Sequence, residues 1–294
     1  MRQGIRRDHA VLAGVVLTVQ ILSGCSTDRL VARGASPLID RGVSAMNRET
    51  DIELARASIP ATLKMLDALL LLDPRNTAYR TQAAMGFHGY ALGFVEPTDP
   101  ERARDLYRRA RDHALAALED AGVSQSTLTG DVAVLEQALA TLDVRALPAL
   151  FWVASAWGKW IELQIDDPAR LAELPRVEAL MRRVLALDES YYYGGAHLFF
   201  GAYYGGRAPM FGGDFTRAAQ HFDRAAELNR NRLLWVDVYR ARYLLHQAGE
   251  RDAFHAALSR VLVAPEHDDP ELNLANALAR KAAADLLARE EELF

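Results

Sequence analysis

ARYLLHQAGERDAFHAALSRVLVAP, residues 241–265, is the stretch that decides the fold. Ala241 and Leu244 are three apart and Ala253 and Ala257 four apart, the spacings that set side chains on one face of a helix. Gly249 stands between the two runs, at the turn position of the pair. Pro265 ends the second run, as a residue without an amide hydrogen must. Alanine at the facing positions lets two helices approach closely, where leucine would force them apart. The stretch therefore reads as helix, turn, helix, stop.

The same reading extends outward. Ala218, Phe222 and Ala225 mark another second helix, and Ala103, Tyr107 and Ala110 an earlier one. A run beginning at Ile59-Pro60 carries Leu63, Leu66, Leu69 and Leu70 and stops at Asp73-Pro74. Leu135, Leu139, Leu142 and Leu147 form a further stripe, and so do Val177, Leu180, Met181, Val184 and Leu185. No strand-like alternation of any length occurs, so the class is all-α from about residue 40 onward. The spacing of the small and large positions resembles the tetratricopeptide repeat, a helix pair of about 34 residues. The expected architecture is an irregular tetratricopeptide-like array of antiparallel helix pairs in one domain, residues 40–294. Its irregularity is specific. Seventeen residues separate Gly201 from Ala218, where a regular repeat has about 12. The surplus falls in the turns at 205–213 and likewise at 93–101. Regular arrays present a concave groove, and surplus turn residues modify it.

The beginning of the chain has a different character. Arg2, Arg6 and Arg7 precede the apolar run Val11–Leu22, which is too short for a spanning helix of roughly 20 residues and reads as a secretory signal. Leu22-Ser23-Gly24-Cys25 follows and resembles the lipobox of bacterial lipoproteins, in which cleavage precedes a cysteine that is then acylated. Residues 1–24 are thus expected to be a signal peptide, Cys25 the lipidation site, and residues 25–39 a small, polar tether. Several acyl chains anchor firmly where one is marginal. The resemblance further implies a periplasm-facing protein, with Ser26 after the cysteine pointing to the outer membrane.

Composition narrows the function. The 294 residues are 50% apolar and 25% charged, enough for a core, and the net charge of −5 argues against nucleic acid as a partner. A single cysteine excludes a disulfide framework and a thiolate zinc cluster. The eight histidines form no HExxH pair, and Ser155 and Ser190 lack a nucleophile-elbow context. The acidic clusters Asp166-Asp167-Pro168 and Glu266-His267-Asp268-Asp269-Pro270 do not have EF-hand spacing and read as capping turns. No catalytic constellation and no cofactor motif is present, so the expectation is a non-enzyme.

Residues 191–222, YYYGGAHLFFGAYYGGRAPMFGGDFTRAAQHF, hold 10 of the 24 Phe, Tyr and Trp residues. On a helix, Tyr192, Ala196, Phe199 and Tyr203 share one face, and Tyr193, His197, Phe200 and Tyr204 share the next. Leu198, Gly201 and Gly205 make a third, small face suited to close helix packing. Three apolar stripes imply a helix enclosed in the core or one lining a cavity. Tyrosine fits a cavity wall because it offers its ring to a ligand and its hydroxyl to water. Phe151, Trp152, Trp157 and Trp160 form a second aromatic cluster, a candidate facing wall. Gly205-Gly206 and Gly212-Gly213 bracket Arg207, Met210 and Phe211; no Gly-Lys-Ser/Thr follows, so this is not a P-loop.

HLFFGAYYGGRAPMFGGDFTRAAQHFDRAAEL resembles the signature of the T component of tripartite ATP-independent periplasmic (TRAP) transporters, through His197, Leu198, Phe199, Gly201, Arg207, Pro209, Gly212, Gly213, Asp214, Ala218, Phe222 and Ala225. The resemblance implies a lipoprotein with degenerate tetratricopeptide helices, an apolar pore through each protomer, a homotrimer, and the transporter's solute-binding P subunit as partner. Candidate lining residues for a hydrophobic small molecule are Tyr193, His197, Phe200, Tyr204, Arg207, Met210, Phe211, Trp157 and Trp160. The alternative is a scaffold lipoprotein for envelope assembly that binds no ligand.

Overall fold

A computed structural model describes residues 29–265 and 269–294. The signal segment, Cys25, and Glu266, His267 and Asp268 of the second acidic cluster lie outside the described residues. Among the described residues there are fifteen α-helices and no strand, so the protein is all-α. In chain order the helices are α1 Ser36–Asn47, α2 Ile52–Leu72, α3 Thr77–Tyr90, α4 Pro100–Asp120, α5 Gln125–Thr129, α6 Val132–Ala140, α7 Leu147–Glu162 and α8 Pro168–Leu171. There follow α9 Leu174–Leu187, α10 Tyr191–Gly205, α11 Phe215–Asn229, α12 Trp235–Tyr239, α13 Arg251–Val263, α14 Asn273–Ala288 and α15 Glu290–Leu293. No single described helix is long and apolar enough to cross a membrane.

Side-chain caps open many of the helices. Asp51, Asn76, Asp99, Asp131 and Asp214 each accept a hydrogen bond from a backbone N–H of the first turn they precede. Because Asp51 caps α2, that helix begins well before Ile59-Pro60 and carries Pro60 inside it. Asp167 of the first acidic cluster caps α8. The alanines predicted to face neighbouring helices do so: Ala103, Ala110, Ala218, Ala225, Ala241 and Ala257 are buried, with Tyr107 and Phe222 between them. Ala253 differs, being exposed on the first turn of α13.

The helices form two layers. α3, α7, α10 and α12 stand side by side on the inside. α4, α9, α11 and α13 pack behind them in the order of the chain, a pairing compatible with tetratricopeptide-like repeats. The inner helices α7 and α10 run in the same direction, since Phe151 abuts Gly195 near their starts and Phe199 abuts Gly158 further along. The first and last segments then meet. α1 and α2 contact α14, and Glu271 accepts hydrogen bonds from Ser44 Oγ (2.6 Å), Arg48 Nε (2.7 Å) and Asn47 Nδ2 (3.3 Å). An open groove thereby becomes a closed ring of helices.

Residues 29–34 are helical and lead into α1, with Ala32 and Ile39 buried and the Tyr79 hydroxyl donating to the Ala32 carbonyl. This part of the expected tether is docked on the body, because two apolar side chains one heptad apart are enough to seat it. The surplus residues of the inner helices take two forms. At 93–101 part of the surplus is absorbed as a π-helical turn, Ala91–Val95, and a second π turn, Arg240–Leu245, continues α12. At 205–213 the surplus makes a loop with a short 3-10 turn, Pro209–Phe211, in which Gly212 has φ +84°.

Candidate functional site

The ring of helices surrounds a partly open cavity of about 440 Å³ with overwhelmingly apolar walls. Its size lies in the range of small-molecule sites. Leu63 and Leu66 of α2, Trp152 of α7, Phe199 of α10, Trp235 of α12 and Leu278 of α14 contribute to the wall, and Val43 and Met46 of α1 close it.

The start of α10 shapes one end. Tyr192 (φ 48°), Tyr193 (φ 61°) and Gly194 (φ 76°) form a left-handed turn, so the helix does not continue through them. Left-handed backbone costs a non-glycine residue about 1–2 kcal/mol, and it persists where surrounding contacts over-determine it. Those contacts are visible here. Asn229 Nδ2 donates to the Tyr193 carbonyl at 3.4 Å, Gly194 lies against Ala225 and Leu228, and the Tyr192 ring sits 5.2 Å from Phe151 and 4.8 Å from Trp152. The turn brings Tyr192 and Tyr193 to the cavity wall. Tyr192 is 43% exposed although protein surrounds it, because its open side faces the cavity. Burial raises the pKa of its hydroxyl, so it stays neutral.

The other end is polar. Lys159 Nζ lies 2.9 Å from Glu96 and 3.0 Å from Glu162, and Arg242 bridges the same two carboxylates at 3.2 and 3.3 Å. The Tyr243 hydroxyl donates to Glu162 at 2.8 Å and the Tyr107 hydroxyl to Glu96 at 2.5 Å. Burial pushes the Glu96 carboxyl up, but Lys159 and Arg242 outweigh it and hold the pKa at about 2. Lys159 is likewise desolvated, yet Glu162 and Glu96 keep its pKa above the ordinary lysine value. Two acids and two bases compensate each other. The two π turns meet at this network, since Glu96 follows the first and Arg242 and Tyr243 belong to the second. A π turn displaces the side chains after it, and such turns recur at functional sites. His88, also on the wall, has Nδ1 without a partner; burial, aided by Lys159, lowers its pKa to about 3, so the ring is neutral.

The residues predicted for the site divide. Tyr193 and Arg207 line the cavity. His197, Phe200 and Tyr204 turn instead toward α11, where their rings lie 5.1, 5.3 and 5.8 Å from His221. The face of α10 that reaches the cavity is the adjacent one, with Phe199 and Tyr203, while Gly201 and Gly205 provide the close approach to α11 and to the second π turn. The facing wall is α7, as expected, but through Phe151, Trp152, Ser155, Gly158 and Lys159. Trp157 and Trp160 point behind it. Trp157 Nε1 donates to Glu173 at 2.6 Å, and Arg111 and Arg170 sit 4.5 and 5.0 Å from the Trp160 ring. Met210 and Phe211 are 83% and 72% exposed at a loop tip outside the cavity. Glu96, Lys159, Glu162 and Arg242 carried no sequence signal, being brought together from three separate segments. Among the described residues no cluster of three His, Cys, Asp or Glu residues is placed to hold a metal ion.

An all-α ring around an apolar cavity defines the class, and comparison supplies the family. Residues 48–294 match the family described as the TRAP transporter T-component, and the chain belongs to it. It is also similar to a protein of Treponema pallidum (strain Nichols) described as uncharacterized, 25% identical over 267 residues that cover 84% of this chain and 81% of the relative. Family membership makes this an accessory component of TRAP transport, associated with the cell envelope.

Proposed function

We propose that the protein is a lipid-anchored, periplasm-facing accessory subunit that holds an apolar small molecule in its cavity and exchanges it with the solute-binding P subunit. The observation that carries this reading is the apolar, partly open cavity of about 440 Å³ in a member of a transport family. No covalent step is involved; burial of apolar surface, at about 25 cal/mol per Å², supplies the affinity. Cys25 carries the anchor, with the outer membrane as its site, and the assembly is a homotrimer, both on the strength of the family resemblance. Cys25→Ser is expected to release the protein from membranes, and a variant that still sediments with them rules out this anchor.

Binding is tested with a neutral fluorescent naphthylamine probe. Ala202 lines the cavity, and Ala202→Phe is expected to abolish probe uptake by filling the space. Phe200→Ala lies behind the wall and is expected to lower stability while leaving uptake intact. Capture of the P subunit from periplasmic extract, followed by mass spectrometry, tests the partner. Unchanged uptake in Ala202→Phe would favour the scaffold alternative.

A further inference from the structure

Four ionised side chains line the cavity: Lys159, Glu162, Arg207 and Glu271. Three are compensated. Lys159 and Glu162 belong to the balanced network, and Glu271 is paired with Arg48 at 2.7 Å. Arg207 alone has no carboxylate within 4 Å among the described residues. It stands just past the end of α10, half-buried. Its Nε donates to the Tyr203 carbonyl at 2.9 Å, and its Cζ lies 3.8 Å from the centre of the Tyr203 ring. Those contacts fix the guanidinium but occupy only its Nε–H. The remaining N–H groups meet no carboxylate or backbone carbonyl among the described residues, though the Tyr203 hydroxyl lies close enough to interact with them. The Tyr203 hydroxyl is itself committed to Glu178.

A cation held in place, with its forked donors free, beside an otherwise apolar cavity is matched by a planar anion on an apolar chain. From this inventory we infer that the cavity takes an amphiphile with a carboxylate head at Arg207 and an unbranched tail lying along α10 toward Trp152 and Tyr192. The ten steps from Gly195 to Gly205 span about 15 Å, room for a tail of about ten carbons. The compensated network does not compete for the head, because a carboxylate there would meet Glu96 and Glu162 as well as Lys159 and Arg242. This inference rests on the cavity being a ligand site.

The test uses the full chain with Cys25→Ser and measures displacement of the neutral naphthylamine probe by decanoate, decanol and decyltrimethylammonium. Decanoate is expected to displace at a concentration at least about fivefold below that of decyltrimethylammonium, a preference that shrinks with salt because Arg207 is only half-buried. Arg207→Gln is expected to erase the preference and leave decanol unchanged, while Arg207→Lys retains most of it. Equal displacement by all three, or a preference that survives Arg207→Gln, overturns the carboxylate assignment and leaves the ligand-site reading standing. No probe uptake, or uptake indifferent to Ala202→Phe, overturns both.

Discussion

Lys159→Met removes the centre of the buried ion network with little change in side-chain length. Lys159 and Glu96 are 9% and 8% exposed at the side chain, and their 2.9 Å contact is supplemented by Glu162 at 3.0 Å. Breaking a buried pair strands a carboxylate, which costs about 3–5 kcal/mol, whereas an exposed pair such as Arg145–Asp143 is screened by solvent and contributes little. For a chain of this size the loss should lower Tm by on the order of 10 °C. The pH dependence sharpens the test. Glu96 is held at about 2 against an ordinary 4.5, a difference equivalent to about 3 kcal/mol. Because the folded pKa is depressed, that stability is present above pH 4.5 and drains away as pH falls toward 2. Urea melts at pH 3, 4, 5 and 7 should therefore show Lys159→Met far less stable at neutral pH, with its deficit narrowing in acid. The double variant Lys159→Met/Glu96→Gln should recover much of the loss, since the stranded charge is gone. A Lys159→Met deficit under about 1 kcal/mol, or one that does not change between pH 5 and 3, would refute the idea of a buried, mutually dependent network.

Three further outcomes are expected. Arg230 caps the end of α11 at φ 57° and is exposed, so Arg230→Gly should raise stability by about 0.5–1 kcal/mol in chemical denaturation. At Gly205 an added Cβ would stand 3.1 Å from the Tyr243 carbonyl and 3.3 Å from Leu244 Cα, both backbone, so Gly205→Ala should cost about 1–3 kcal/mol. His88 is held neutral with its pKa near 3 against an ordinary 6.5, so the unfolded chain takes up its proton first as pH falls below 6.5. Stability should decline between pH 6.5 and 3 less steeply in His88→Gln than in the parent protein, as followed by thermal melts.

The sequence by itself determined the helical class, the capping turn at Asp167 and the tight packing between helices. These depend on neighbours three and four residues apart, on an aspartate before a first turn, and on alanine or glycine where two helices meet. Periodicity read at Ala218, Phe222 and Ala225 needs no knowledge of the rest of the chain. The aromatic density of α10 likewise marked the element that reaches the cavity. Which of its faces does so was decided only in three dimensions. The sequence assigned Tyr193, His197, Phe200 and Tyr204 to one stripe by assuming an unbroken helix, but the left-handed turn at Tyr192–Gly194 disconnects Tyr193 from that register. That turn is held by Asn229, Ala225 and Phe151, residues 31 or more positions away from it, with no local signal. The π turns, the meeting of α1 with Glu271 and the network of Glu96, Lys159, Glu162 and Arg242 are tertiary in the same sense. Each is stabilised by contacts between segments far apart in sequence, and local spacing records only what local contacts decide.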